Sequence, residues 1–145
     1  MPQGGQQAGS CDVNAALANI LAMRTVSDYR AAELLRRQQG SDWMAAQPAD
    51  TEAYGAIRLM VNTWEQIAIQ VLGGCPPADD RFFASNPVGH MWDALKPGID
   101  VVRDDLGNQY AGNFEALNRK YRNWLKKQPK SYQSRALDGI NAQFG

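Results

Sequence analysis

The stretch from Asp50 to Leu72 constrains the fold most, because its large apolar residues recur at steps of three and four. This spacing places them on one face of an α-helix. The residues of this stripe are Tyr54, Ile57, Val61, Trp64, Ala68 and Val71. Five further apolar residues widen the stripe, namely Leu59, Met60, Ile67, Ile69 and Leu72. We therefore expect a helix that is covered on more than one side and lies at the centre of a bundle.

The rest of the chain also predicts helices, with no alternating strand pattern and no internal repeat. A first helix follows a cap at Ser10 or Asp12, and a second one ends at Gly40 with Leu34 and Leu35 on its apolar side. We expect a break over residues 25–27, although one continuous helix over residues 12–39 is the alternative. Residues 41–48 are expected to form a connection.

Three further helices are predicted over residues 78–84, 86–106 and 108–127. Asn86 is the expected cap of the second of these, and Pro97 is expected to kink or split it. The length of 145 residues suits one domain. We predict an all-α fold, a single-domain helical bundle of about five or six helices around a central apolar helix. Residues 1–10 are expected to be a disordered lead-in, residues 11–128 the bundle, and residues 129–145 a tail that forms a short docking helix.

Charge and cysteine content bound the location and the partners. The net charge is zero, but residues 1–110 carry 8 basic and 13 acidic side chains, whereas residues 111–145 carry 7 basic and 2 acidic ones. Cys11 and Cys75 form no CxxC pattern, which favours free thiols in a reducing compartment. There is no apolar run long enough for a membrane span and no signal-peptide pattern at the start. We expect a cytoplasmic protein without membrane insertion.

The sequence contains no recognisable catalytic or metal-binding set. A single histidine, His90, and two separated cysteines do not make the usual zinc ligands, and no phosphate-binding glycine motif is present. We predict a protein that is not an enzyme and has no metal, no cofactor and no catalytic residues. Glu65, Arg103 and Glu115 lie among apolar residues and are expected to form a structural network that joins three helices. The functional alternative is a small enzyme with a polar pocket near these three residues.

The densest basic run lies at the end of the last long helix. Its members are Arg119, Lys120, Arg122, Lys126, Lys127 and Lys130, interleaved with Tyr121 and Trp124. Basic residues with aromatic neighbours are typical of single-stranded nucleic-acid binding. The aromatic residues also continue the apolar stripe of the helix, which favours burial. Nucleic-acid binding through residues 119–130 is therefore the alternative function.

The tail suggests the leading function. Leu137, Ile140 and Phe144 recur at helical spacing, as expected of a segment that docks into a groove or mediates self-association. We predict a non-catalytic binding protein, such as an adaptor, inhibitor or accessory subunit, that acts through a helical protein–protein interface. The identity of the protein partner is not encoded in any motif, and a homo-oligomer is one form that the interaction can take.

Three short motifs resemble those of an uncharacterised family of small helical bacterial proteins. The helix N-T-W-E-Q-I-A at residues 62–68 matches N-x-aromatic-E-x-I-A. W-x-x-L-x-P-x-I follows at residues 92–99, and F-E-x-L at residues 114–117. The resemblance implies a helical fold over residues 50–125 and carries no activity. Members of that family often have an N-terminal membrane helix, which this sequence lacks.

Overall fold

The computed structural model of the chain describes residues 10–46 and 51–133. These residues form seven helices, the beginning of a further helix at residues 130–133 and no strand, which confirms the all-α prediction. The helices are α1 (Val13–Thr25), α2 (Ser27–Gln39), α3 (Ser41–Ala46), α4 (Thr51–Leu72), α5 (Asp80–Ser85), α6 (Val88–Leu106) and α7 (Gly112–Lys126). The predicted lead-in (residues 1–9) and most of the predicted tail (residues 134–145) lie outside the described residues.

Local chemistry explains where the first helices begin and end. The carboxylate of Asp12 accepts a hydrogen bond from the N–H of Ala15 at 3.0 Å and so caps α1. The predicted break is confirmed, because Val26 is extended and separates α1 from α2. Gly40 ends α2 at a positive φ of 85°, as expected of a helix C-terminus. The predicted connection after Gly40 is wrong, since α3 occupies most of it.

The structure bears on two predictions for α6, one at Pro97 and one at Asn86. α6 runs without interruption through Pro97, which has no N–H to donate, so the carbonyl of Asp93 loses its helical donor. The predicted split is therefore wrong, and the alternative of a kink at Pro97 stays a prediction. Asn86 does not cap α6, because its side chain donates a hydrogen bond to the carbonyl of Phe82 at 3.0 Å and the helix begins after Pro87.

The core is built around one side of α4, which packs against α1, α2, α3, α6 and α7. Trp64 is fully buried and stacks on Phe114 of α7 with ring centroids 5.7 Å apart. The Nε1–H of Trp64 donates to the hydroxyl of Tyr29 on α2 at 2.8 Å, which satisfies the polar ends of both rings. The side of α4 that carries Leu59 and Ile69 is exposed, so the expectation that these two residues widen a covered stripe is wrong.

Glycines let α6 lie close to its neighbours. A Cβ atom at Gly98 would lie 2.7 Å from Cγ2 of Ile57 on α4, and one at Gly89 would lie 2.5 Å from the ring of Tyr121 on α7. Both approaches are shorter than real Cβ contacts. The close packing of α6 against α4 and α7 therefore requires glycine, which has no side chain, at Gly89 and Gly98.

A disulfide joins Cys11, just before α1, to Cys75 in the loop between α4 and α5. The sequence expectation of two free thiols is therefore wrong. The two cysteines are 64 residues apart in sequence, and the fold brings their Cα atoms to 5.6 Å. Spacing alone could not reveal this pairing, because it depends on how α1 packs beside the end of α4. Disulfides persist in oxidising compartments, so the cysteines no longer support a reducing location.

Candidate partner-binding surfaces

The first candidate region surrounds the start of α7, where Glu65 acts as a helix cap supplied by another helix. Its carboxylate accepts hydrogen bonds from the N–H of Phe114 at 2.8 Å and from the side-chain amide of Asn113 at 2.7 Å. α7 begins after Ala111, which has a positive φ of 60° and no side chain that caps the helix. A carboxylate at a helix N-terminus also complements the helix dipole. Glu65 therefore fixes α7 to α4.

Arg103 of α6 makes the second connection to the start of α7. Its Nη2 atom lies 2.9 Å from Oε1 of Glu115, and its Nε–H donates to the carbonyl of Tyr110 at 2.9 Å. The guanidinium also lies 5.8 Å from the ring centre of Trp92. The predicted pair of Arg103 with Glu115 is present and joins α6 to α7. Glu65 joins α4 to α7 separately and takes no part in that pair, so the prediction of one network across three helices is wrong. The polar groups hold the fold, which weakens the hypothesis of a polar catalytic pocket.

Two further titratable residues, His90 and Asp100, take no part in the hydrogen bonds by which Glu65 and Arg103 hold the start of α7. Burial and the nearby positive charge of Arg36 lower the pKa of His90 to about 4. Asp100 forms an ion pair with Lys96 at 2.6 Å on the exposed side of α6. Residues 10–46 and 51–133 contain no group of three or more carboxylate, histidine or cysteine side chains that could hold a metal ion. The described residues therefore show no convergent catalytic set.

The basic run forms an exposed stripe on α7 and just beyond it. Five of its members are exposed, namely Arg119, Lys120, Lys126, Lys127 and Lys130. None of these five forms a salt bridge with a carboxylate of the described residues. Arg122 differs, because it pairs with Asp93 at 2.7 Å and donates to the carbonyl of Gly89 at 3.2 Å. It therefore belongs to the contact between α6 and α7.

The aromatic residues of the basic run face inward. Tyr121 is buried and packs edge-to-face on Phe83, while Trp124 is partly buried and lies between Phe83 and Tyr132. The indole N–H of Trp124 donates to the carboxylate of Asp80 at 2.5 Å. These rings are used by the fold, so they offer no platform on which bases could stack.

The predicted protein-binding residues Leu137, Ile140 and Phe144 lie outside the described residues. A different apolar surface is visible between α2 and α4, and the sequence did not reveal it. It is an open groove of about 250 Å³. Its lining residues are Asp28, Ala31, Ala32, Leu35, Glu52, Gly55, Ala56 and Leu59. We refer to it as the α2–α4 groove.

The α2–α4 groove has small residues at its floor and leucines on its walls. The absence of large side chains at Ala31 and Gly55 leaves room above the two helices; a Cβ atom added to Gly55 would meet nothing within 4 Å. Of the leucines that line the groove, Leu59 is 37% exposed and Leu35 is partly buried. Leu34 does not line the groove and is 55% exposed. The prediction that Leu34 lies on the apolar side of its helix is wrong, since Tyr29, Ala32 and Arg36 are the buried residues of α2.

Two carboxylates lie at opposite ends of the groove. The start of α2 lies beside the second half of α4, where Tyr29 bonds Trp64, and the end of α2 leads through α3 to the start of α4. The two helices are therefore antiparallel, so that Asp28 and Glu52 lie about two helical turns apart, on the order of 10 Å. Both residues are exposed and neither forms an ion pair with a described residue.

No helix within the described residues is long and apolar enough to cross a membrane. Comparison of the chain with models of protein families, with characterised proteins and with solved structures found no significant match. The resemblance to a family of small helical bacterial proteins therefore stays a prediction.

Proposed function

We propose that the chain is a non-catalytic protein-binding domain whose α2–α4 groove receives an amphipathic helix of a partner protein. The observation that carries this proposal is the groove itself, which combines the exposed Leu59, the partly buried Leu35, several small residues and two exposed carboxylates that form no ion pair with a described residue. Apolar surface left open to water favours association, and helices commonly bind by laying an apolar face into such a groove.

The charges of the groove specify the partner. Among the described residues that line it, Asp28 and Glu52 are the charged ones, and both are acidic. A complementary helix would carry small or branched apolar residues on one face and a lysine or arginine at each end of that face. The two cations would be seven or eight residues apart, because this separation spans about 10 Å along a helix. Such charge pairs would set the register and orientation of the partner.

The test uses a synthetic helical peptide with alanine and leucine on one face and two lysines about two turns apart, with binding followed by fluorescence anisotropy. In Gly55→Leu, the new side chain occupies the open space of the groove, and we expect affinity to fall at least about tenfold. Gly112→Leu is the matched control, since Gly112 also has nothing within 4 Å of an added Cβ but lies on α7. Equal affinity of both variants would contradict the proposal.

The carboxylates are tested in the same assay. Asp28→Asn with Glu52→Asn should weaken binding and reduce its dependence on salt, because two charge contacts are removed. Asp104→Asn with Asp105→Asn removes two exposed carboxylates at the end of α6 and should leave the affinity unchanged. A loss of affinity in both double variants would indicate a general effect of net charge and would contradict a role for the groove.

The second candidate function is nucleic-acid binding through the exposed cations of α7. It is supported by five basic side chains on one stripe without ionic partners among the described residues. The buried position of Tyr121 and the partly buried position of Trp124 weigh against a single-stranded ligand, since both rings are packed in the fold and unavailable for stacking. Lys126→Glu with Lys127→Glu should abolish binding to a labelled oligonucleotide, and affinity should fall steeply with salt. Affinity that is independent of salt would contradict this function.

The tail remains part of the proposal as an additional interface or self-association element. If it binds a partner, Leu137→Ala with Phe144→Ala should abolish the interaction and leave the melting temperature of the free chain nearly unchanged. A large drop in melting temperature would instead assign these residues to the core. A cytoplasmic location stays a prediction from the sequence, whereas the disulfide favours an oxidising compartment.

A further inference from the structure

The N-terminal half of α1 is held to the rest of the molecule by unusually few contacts. Ile20 is the single residue of α1 that is fully buried. Leu17 is partly buried against the core, and Asn14 accepts a hydrogen bond from Arg81 of α5. The amide of Asn19 donates to the side chain of Gln70 on α4 at 3.4 Å, which is a long hydrogen bond.

The firmer contacts of α1 lie at its other end. Arg24 donates a hydrogen bond to Oδ1 of Asn86 at 2.7 Å, and its guanidinium lies 5.3 Å from the ring centre of Trp64. Val26, which is extended, follows immediately and joins α1 to α2. One end of α1 is therefore attached by packing and polar contacts, while the other end is attached mainly through Cys11.

The Cys11–Cys75 disulfide holds the N-terminal end of α1, where the other contacts are few. Cys75 is exposed and Cys11 is half-buried, so a reductant can reach the bond from the side of Cys75. Cys75 lies beyond the end of α4, in a loop that follows two glycines, Gly73 and Gly74. When the bond is broken, the described contacts that still hold the first two turns of α1 on the bundle are the partial burial of Val13, Ala16 and Leu17 and the hydrogen bonds of Asn14 and Asn19, and these oppose the conformational entropy of the segment.

We propose that the Cys11–Cys75 disulfide is a redox-sensitive latch that keeps the N-terminal half of α1 docked on the bundle. A dithiol reductant opens it in two exchange steps. A thiolate of the dithiol attacks the sulfur of Cys75 and releases Cys11 as a thiolate, and the second thiol of the reductant then displaces Cys75. Two electrons and two protons pass from the dithiol, which becomes a disulfide, and both cysteines become thiols.

When the disulfide is reduced, the N-terminal half of α1 leaves the bundle and exposes the part of the apolar core against which Leu17 packs. The rest of the bundle stays in place. The residues that build α4, α6 and α7 into the core make no use of the disulfide, since they pack through Trp64, Phe114 and their neighbours. The α2–α4 groove lies on another part of the molecule, so this inference does not depend on the proposed function. The chain would thus present a different surface in a reducing environment from the one it presents in an oxidising environment.

The test is hydrogen–deuterium exchange of the full chain, oxidised and after treatment with dithiothreitol. We expect exchange of the amides over residues 13–19 to rise about tenfold or more on reduction, with little change in α4, α6 and α7. Cys11→Ser with Cys75→Ser should give the same pattern without reductant and should not respond to it, so the result does not depend on complete reduction. Reoxidation of the unmodified chain should restore the protection of α1.

Two outcomes would overturn the latch. Unchanged protection of residues 13–19 in both the reduced chain and the double variant would show that packing alone holds α1. An equal loss of protection in α1, α4, α6 and α7 would show that the disulfide stabilises the whole domain and has no local role.

Discussion

α1 and α4 are both regular helices, but they are held in the fold by different means. α4 carries seven fully or nearly fully buried residues over Ile57–Val71 and meets five other helices, so burial of apolar surface fixes it. α1 buries only Ile20 completely and depends on a disulfide, a few side-chain hydrogen bonds and the contact of Arg24 with Trp64. The N-cap and the alanines of α1 favour its helical conformation, but they do not by themselves keep the helix attached to the bundle.

The largest expected effect is the loss of Trp64 from α4. Trp64→Ala removes a fully buried ring, its stack on Phe114 and the partner of the Tyr29 hydroxyl, so we expect a loss of about 3–5 kcal/mol in unfolding free energy. Thermal denaturation followed by circular dichroism measures it. Leu21→Ala on α1 is the control, because Leu21 is 57% exposed and its truncation should cost less than about 0.5 kcal/mol. Similar losses in both variants would remove the distinction between the two helices.

The next effect concerns the attachment of α1. Cys11→Ser with Cys75→Ser opens a loop of 64 residues, and chain entropy alone predicts a loss of up to about 4 kcal/mol. If α1 undocks as well, the cooperative unit buries less surface, which lowers the slope of unfolding free energy against denaturant, whereas loss of the cross-link expands the unfolded chain and raises that slope. The midpoint of urea denaturation of the oxidised chain and the double variant therefore measures the effect. An equal midpoint for both proteins would contradict a contribution of the disulfide to the attachment of α1.

The contrast between α1 and α4 also explains how far the sequence was informative. The period of the apolar residues located α4, and its inward stripe of Ile57, Val61, Trp64, Ala68 and Val71 is the stripe that the core uses. The period of the apolar residues describes the faces of one helix and carries no information about contacts between segments that are distant in sequence. The pairing of Cys11 with Cys75 depends on such a contact and was missed.

The same limit applies to the candidate sites. Glu65 and Arg103 could be singled out as polar residues in apolar surroundings, and their separate contacts with α7 follow from the need to satisfy buried polar groups. The α2–α4 groove could not be found in this way, because its floor consists of alanines and a glycine whose importance lies in the space above them. Leu59 fits the spacing of a covered stripe and is nevertheless exposed, since spacing does not tell which neighbours a helix has.

The two sides of α4 can be compared by adding one methyl group next to each, on α6 at Gly98 for the inner side and on α4 at Gly55 for the outer side. Gly98→Ala places a Cβ 2.7 Å from Ile57 on the inner side and should cost about 1–3 kcal/mol, because the layer between α6 and α4 has no space for it. Gly55→Ala on the outer side meets nothing within 4 Å and should stabilise the helix by roughly 0.5–1 kcal/mol. Denaturant titration measures both. Destabilisation by Gly55→Ala would show that the outer side is more closely covered than the groove implies.

The last prediction concerns Arg24, which attaches the C-terminal end of α1 through polar contacts. Arg24 is largely buried, and that burial lowers the pKa of its guanidinium, so desolvation offsets part of what its contacts contribute. Arg24→Met keeps an apolar stem over Trp64 but removes the charged hydrogen bond to Asn86, and we expect a net loss of about 1 kcal/mol. Arg30→Met is the matched control on the exposed side of α2 and should change stability by less than about 0.5 kcal/mol. In the Cys11→Ser, Cys75→Ser background the loss should stay the same, because the disulfide holds the first two turns of α1 and Arg24 holds its other end. A smaller loss in that background would show that the two attachments are coupled and that reduction loosens α1 beyond its N-terminal half.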